Sequence, residues 1–177
     1  MTHFFAPAAV TALLVAPVAH ALDALPPAGS PDTARIITLV SSIPMAVDLG
    51  NYDLAEAAFA PEIIIDYTSL WGGVPNKMTS AELMSSWRGI VPGFDATWHE
   101  LGPVNVTIDG TTATATAFVD GHHWIGDEIW RPVGGYTWDL AEIEGQWRVT
   151  RMEFELTQEI GDRALATTAM ERVGASD

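Results

Sequence analysis

No cysteine occurs anywhere in the 177 residues. Disulfides, thiolate nucleophiles and cysteine-based metal sites are therefore excluded, and the redox compartment is left open. Lysine is nearly absent as well, with Lys77 the only one, and eight basic residues stand against 23 acidic ones. A formal net charge of −15 repels phosphate backbones and anionic lipid surfaces, which argues against nucleic-acid or peripheral membrane binding. The acids are scattered rather than blocked, so no acidic tail is implied. No apolar run is long enough to span a bilayer, because the stretch from Phe4 to Val18 falls short of about 20 residues. That stretch ends in Ala19-His20-Ala21, which has the small-x-small form of a signal-peptidase site, although Pro7 and Pro17 interrupt it and no Lys or Arg precedes Arg35. Residues 1–21 thus read as a leader for a secreted or periplasmic protein, with a cytoplasmic extension as the other reading. Residues 22–32 read as a linker and 33–173 as the domain.

What is present is enough for one ordinary domain and too little for two. Apolar residues make up 48% of the chain and charged residues only 18%, which supports a packed core. Ser30-Pro31-Asp32 has the form of a helix start, and Ile36, Ile37, Leu39, Val40, Ile43, Val47 and Leu49 are spaced so that they can form one helical stripe up to Gly50-Asn51. Pro44 should bend that helix. A short helix is expected from Tyr52 to Phe59, a buried strand from Ile63 to Tyr67, a loop from Leu70 to Met78, and a third helix opened by Thr79 or Ser80 with Glu82. Strands follow over 96–101, 104–108, 111–124, 129–142 and 146–156, with turns at Asp109-Gly110 and Glu144-Gly145. A tail helix is expected over 159–173. Helices first and a curved antiparallel sheet after them define an α+β architecture, with the sheet wrapped around the first helix and a cavity open at one end.

Asp48, the Ile65-Asp66-Tyr67 strand end, His99 and the His122-His123 pair are the residues able to do chemistry there. A histidine of near-neutral pKa can take a proton from carbon or oxygen, and a carboxylate on its other ring nitrogen fixes the tautomer and stabilises the imidazolium. In the long strand Ala113, Ala115, Ala117, Val119, Gly121 and His123 share one face. That small, apolar set should face the cavity, so His123 points inward and His122 outward; a bulge near Gly121 would reverse the two. His99 shares a face with Leu101. Each residue also has a plainer role: His99 as a structural strand histidine, Asp48 bonded to turn amides, Tyr67 as core, and the seven tryptophans as packing. The histidine spacing matches no tight metal motif, and no metal is expected.

The run from Asp48 to Tyr67, with Leu-Gly-Asn-Tyr following Asp48, Ala60-Pro61 closing a short helix and Ile65-Asp66-Tyr67 ending a strand, resembles the opening of the SnoaL-like family, in particular its scytalone dehydratase-like branch. Thr97-Trp98-His99 resembles that branch's first catalytic-histidine strand, His123 falls near the second, and Gly145-Gln146-Trp147-Arg148-Val149 resembles its last strand. The resemblance covers roughly residues 36–162. It implies the cone-shaped nuclear transport factor 2-like fold. It also implies His99 as general base, Asp48 as its orienting carboxylate, His123 as a second acid–base group and Tyr67 as a hydroxyl donor to a substrate carbonyl. The related hexachlorocyclohexane dehydrochlorinase branch pairs a helix Asp with a strand His for elimination. Two positions depart from the dehydratase pattern: Val47 stands where a second tyrosine precedes the helix Asp, and Tyr136 where an asparagine anchors substrate.

The expected function is accordingly a lyase or isomerase of dehydratase-like kind, working without metal or organic cofactor on a small, largely apolar cyclic molecule. Trp71, Tyr136, Trp138 and His122 are the candidate substrate-binding side chains. The alternative is a non-catalytic protein that holds a small hydrophobic ligand. A homo-oligomer, dimer or trimer, is expected through the outer sheet face.

Overall fold

The structure is a computed structural model, and it describes residues 29–175. The expected leader and most of the expected linker lie outside the described residues. Helix α1 (Pro31–Asp48) starts where the sequence marks it: Ser30 Oγ accepts the Thr33 amide at 3.2 Å and Pro31 occupies the first turn. Pro44 lies inside this helix without ending it. After α2 (Tyr52–Glu56) the chain forms β1 (Phe59–Asp66), α3 (Thr68–Trp71), β2 (Asn76–Thr79) and α4 (Ser80–Arg88). Thr79 and Glu82 close a reciprocal capping box at the start of α4. A 3₁₀ turn (Val91–Gly93) leads into β3 (Ala96–Leu101), β4 (Asn105–Asp109), β5 (Thr112–Ile125), β6 (Glu128–Ile143) and β7 (Gln146–Gly161), and α5 (Ala164–Gly174) closes the described chain.

The seven strands form one sheet in the order β2-β1-β7-β6-β5-β3, with β4 paired to the other end of β5. Helix α1 packs against β3, β4, β5 and β7, so the sheet wraps the helix as expected. Four local expectations are corrected. The sheet is mixed, because β1 runs parallel to β7; turn signals specify consecutive hairpins, whereas a parallel neighbour far along the chain leaves none. The second helix stops at Glu56, since Phe59, Ala60 and Pro61 join β1 as its start. The expected loop over 70–78 holds the end of α3 and most of β2. Residues Glu159–Gly161 extend β7 instead of starting the tail helix, because β6 is long enough to pair with them through Trp130↔Gly161.

The core lies between α1 and the inner sheet face. Ile36, Val40 and Ile43 of α1 meet Ala115, Val119, Trp138, Leu140, Val149 and Met152 of the sheet, all buried. The alanines at 113, 115 and 117 keep β5 thin on that face, which leaves room for the helix above it. No helix of the described residues is long and apolar enough to cross a membrane.

Candidate active site

Asp48 is the last residue of α1, and β3 meets it there. Its Oδ1 accepts the His99 Nδ1–H at 2.7 Å and the Thr97 hydroxyl at 2.8 Å, while Oδ2 accepts the His99 backbone amide at 2.8 Å. One carboxylate therefore holds His99 at both ring and main chain. Burial alone would push the Asp48 carboxyl up. The His99 hydrogen bond and charge, the His99 amide and the Thr97 hydroxyl outweigh it and hold the carboxyl below its ordinary value. An ionised carboxylate only accepts, so Nδ1 carries the proton and the lone pair of His99 sits on Nε2. Thr97 is the partner that sequence reasoning missed. Its place two residues before His99, on the same strand face, was the available signal.

His123 lies on the inner face of β5, as the alternation predicts, and no bulge interrupts the β3–β5 pairing near Gly121. Its ring meets that of His99 edge-on at 5.2 Å. Nδ1–H donates to the Trp130 carbonyl at 3.3 Å, which leaves Nε2 as an acceptor. Burial, then the nearby His99, pushes its pKa down to about 3. At neutral pH His123 is thus uncharged and has no proton to give from Nε2. Of the acid–base role that the family resemblance implies for His123, this setting favours the accepting half.

Both histidines line a cavity with an accessible volume of about 130 Å³. Ile43, Pro44 and Val47 of α1 form one wall, and Val119, Gly121, Pro132, Tyr136, Met152 and Phe154 of the sheet the opposite one. Tyr67, Leu70, Trp71, Trp87, Ile90, Val91, Phe94 and Trp130 complete it. The wall is apolar and aromatic, with two imidazoles, two phenols and the indole N–H groups of three tryptophans as its polar groups. Tyr67 and Tyr136 are each pushed up by burial, Tyr136 also by Tyr67 and the Asp48 charge, so both remain neutral hydroxyl donors. The Tyr67 oxygen faces the Trp87 indole N–H, and its hydroxyl has a long contact of 4.0 Å to Met152 Sδ, a weak acceptor.

Three expected site residues are placed elsewhere. Trp138 is fully buried beside Tyr136, deeper in the core than the cavity, and its Nε1–H has no partner among the described residues. His122 faces the outer side of the sheet, where it packs on Trp124. Its Nε2 lies 3.1 Å from Asp120 Oδ1. Asp66 is turned away from the cavity and accepts the Thr68 amide and hydroxyl and an Arg151 guanidinium N–H. No acid forms part of the cavity wall; Asp48 stands behind His99. Among the described residues, no group of three or more His, Asp and Glu side chains is placed to hold a metal ion.

Comparison with known proteins bears on the family and the fold. The model of the SnoaL-like domain matches residues 30–153. The solved Kfla4162 protein from Kribbella flavida is similar at 27% identity and a TM-score of 0.71, over 77% of this chain and 97% of that one. A protein provisionally named a scytalone dehydratase, from Novosphingobium aromaticivorans, is similar at 16% identity and a TM-score of 0.65, over 75% and 88% of the two chains. A type 2 hexachlorocyclohexane dehydrochlorinase is similar at 13% identity and a TM-score of 0.60, over 74% and 88%. The last two likenesses establish the fold alone. No curated protein matches. With an α+β cone, a family match over most of the chain and solved neighbours of the nuclear transport factor 2-like kind, the chain belongs to the SnoaL-like family.

Proposed function

We propose that the protein is a lyase or isomerase in which His99, oriented by Asp48, removes a carbon-bound proton from a small neutral cyclic substrate. The observation that carries this reading is the 2.7 Å contact between Asp48 Oδ1 and His99 Nδ1 on the wall of an apolar cavity. Nε2 takes the proton from a carbon beside an electron-withdrawing group. The C–H electron pair becomes the new π bond as the β-substituent leaves with its own pair. The imidazolium so formed is stabilised by Asp48, and where hydroxide leaves, it returns the proton to make water. Tyr67 donates to the substrate carbonyl as charge builds on it. His123 Nε2 accepts from a substrate hydroxyl. In an elimination, all atoms balance without an added oxidant or reductant.

The test is turnover of cyclic ketols and halocycles by the wild-type protein and by His99→Ala. Loss of turnover with retained fold supports the reading, and equal turnover by both removes His99 from the mechanism. The mostly apolar wall favours a second reading, a non-catalytic carrier of a hydrophobic ligand. In that case both proteins bind such compounds equally and neither converts them.

Two further expectations remain proposals. Export, with cleavage after Ala21, is tested by the intact mass of the mature protein. Self-association through the outer sheet face, where Trp98 and Phe118 are 59% and 54% exposed, is tested by sedimentation velocity over a range of concentrations.

A further inference from the structure

Among the cavity-lining side chains Trp71 alone is exposed, at 46%; the others are buried or half-buried. It ends the four-residue helix α3 and is followed by Gly72 and Gly73, both at positive φ (74° and 83°) and both facing open space. Nothing in so short a helix would hold an indole in place on its own. Arg163, at the start of α5, supplies what is missing. Its Nη1 donates to the Leu70 carbonyl at 2.7 Å, an oxygen that the end of α3 leaves without an intrahelical donor. Its guanidinium also lies over the Trp71 ring, 5.6 Å from the centroid.

Glu159 in turn fixes Arg163 through two parallel bonds of 2.7 Å and accepts the Trp130 indole N–H, also at 2.7 Å. Trp130 is itself a cavity wall, and its ring lies 5.7 Å from that of Trp71. One carboxylate thus ties together two aromatic walls of the cavity, one directly and one through an arginine.

We infer that Trp71, held in place by the Glu159–Arg163 pair, sets the upper size limit of the ligand. A cavity of about 130 Å³ is comparable to the roughly 150 Å³ apolar cavity that accepts one benzene ring. A second fused ring needs more room. The strands and α1 cannot yield it without breaking the core, whereas a Trp71 set free on its glycine-flanked helix can. Trp71 and Arg163 are specificity-determining residues, and Arg163 acts through Trp71. The inference uses the same cavity as the proposed function but not its chemistry, so it is tested by binding and not by turnover.

The experiment measures binding of phenol and of 2-naphthol by calorimetry to the full chain and to Trp71→Ala, Arg163→Ala and the double variant, each shown to be folded by circular dichroism. Wild type is expected to favour phenol. Arg163→Ala is expected to raise the affinity for 2-naphthol relative to phenol at least tenfold, Trp71→Ala to do the same, and the double variant to match Trp71→Ala. An unchanged ratio in Arg163→Ala overturns the inference. So does a double variant whose effect is the sum of the two singles, since Arg163 would then act independently of Trp71. Equal turnover by wild type and His99→Ala together with an altered size ratio would sink the catalytic reading alone, and turnover lost in His99→Ala together with an unaltered ratio would sink this one alone.

Discussion

At the scale of single residues, the account rests on how two imidazoles are held. Asp48→Asn keeps the shape of the site but removes the charge that stabilises the His99 imidazolium. It is expected to lower kcat/KM by about 10²- to 10⁴-fold with little change in KM, as measured by steady-state kinetics on a converted substrate. His123 makes a separate prediction about stability. Its pKa falls from 6.5 to about 3 on folding, so the unfolded chain binds the extra proton first. Stability from this group is complete above about 6.5 and is lost as the pH drops toward 3. Urea unfolding at pH 4 and pH 7 should show wild type losing several kcal/mol more than His123→Phe. Equal losses would mean that the ring is not buried uncharged. These roles were partly legible beforehand. The alternation of Ala113, Ala115 and Ala117 with threonines fixed which face of β5 looks inward, and His123 followed from it. Trp138 shares the inner face too, but parity says nothing about depth along a strand, and it sits beyond the cavity.

At the scale of elements, the site is made where the end of α1 meets β3 and β5. His99 and Gly121 face each other across those strands, and a Cβ added at Gly121 would stand 3.3 Å from the His123 ring and 3.4 Å from that of His99. Gly121→Ala should therefore displace one or both imidazoles by a few tenths of an ångström. The expected result is a loss of at least about tenfold in kcat/KM with a stability change within about 1–2 kcal/mol, read by kinetics and urea melts on the same preparation. Thr97→Val removes a donor to Asp48 without changing shape. It is expected to cost about 1 kcal/mol in stability and a few-fold in activity, both restored by serine, with thermal melts and kinetics as the readouts. The starts of α1 and α4 were readable because capping is a local signal. The end of β7 was not, because Glu159–Gly161 are strand only by pairing with Trp130–Pro132 of β6, a tertiary decision. The Glu159–Arg163 spacing of four residues looks in sequence like an ordinary surface helix pair; its attachment to Trp71 and Trp130 exists only in three dimensions.

At the scale of the whole molecule, a net charge of −15 acts against compactness. Screening it with about 0.5 M sodium chloride should raise Tm by several degrees, measured by scanning calorimetry; a fall would mean that the ion pairs on the surface outweigh the general repulsion. The order of elements was enough to read the architecture, because helices followed by hairpin-linked strands have few ways to bury their apolar faces. It did not give the parallel β1–β7 pairing, which closes the sheet between segments some 85 residues apart. At the other end of the sheet, packing of α1 on β3 brings the helix-end Asp48 to the strand-borne His99, 51 residues later. Nitrogen-15 NMR of the imidazoles at alkaline pH measures that contact without any substrate. The account predicts a protonated His99 Nδ1 whose attached proton is strongly deshielded, and a bare Nε2, with the proton's deshielding lost in Asp48→Asn. A bare Nδ1 with the proton on Nε2, or a spectrum that Asp48→Asn leaves unchanged, would contradict it.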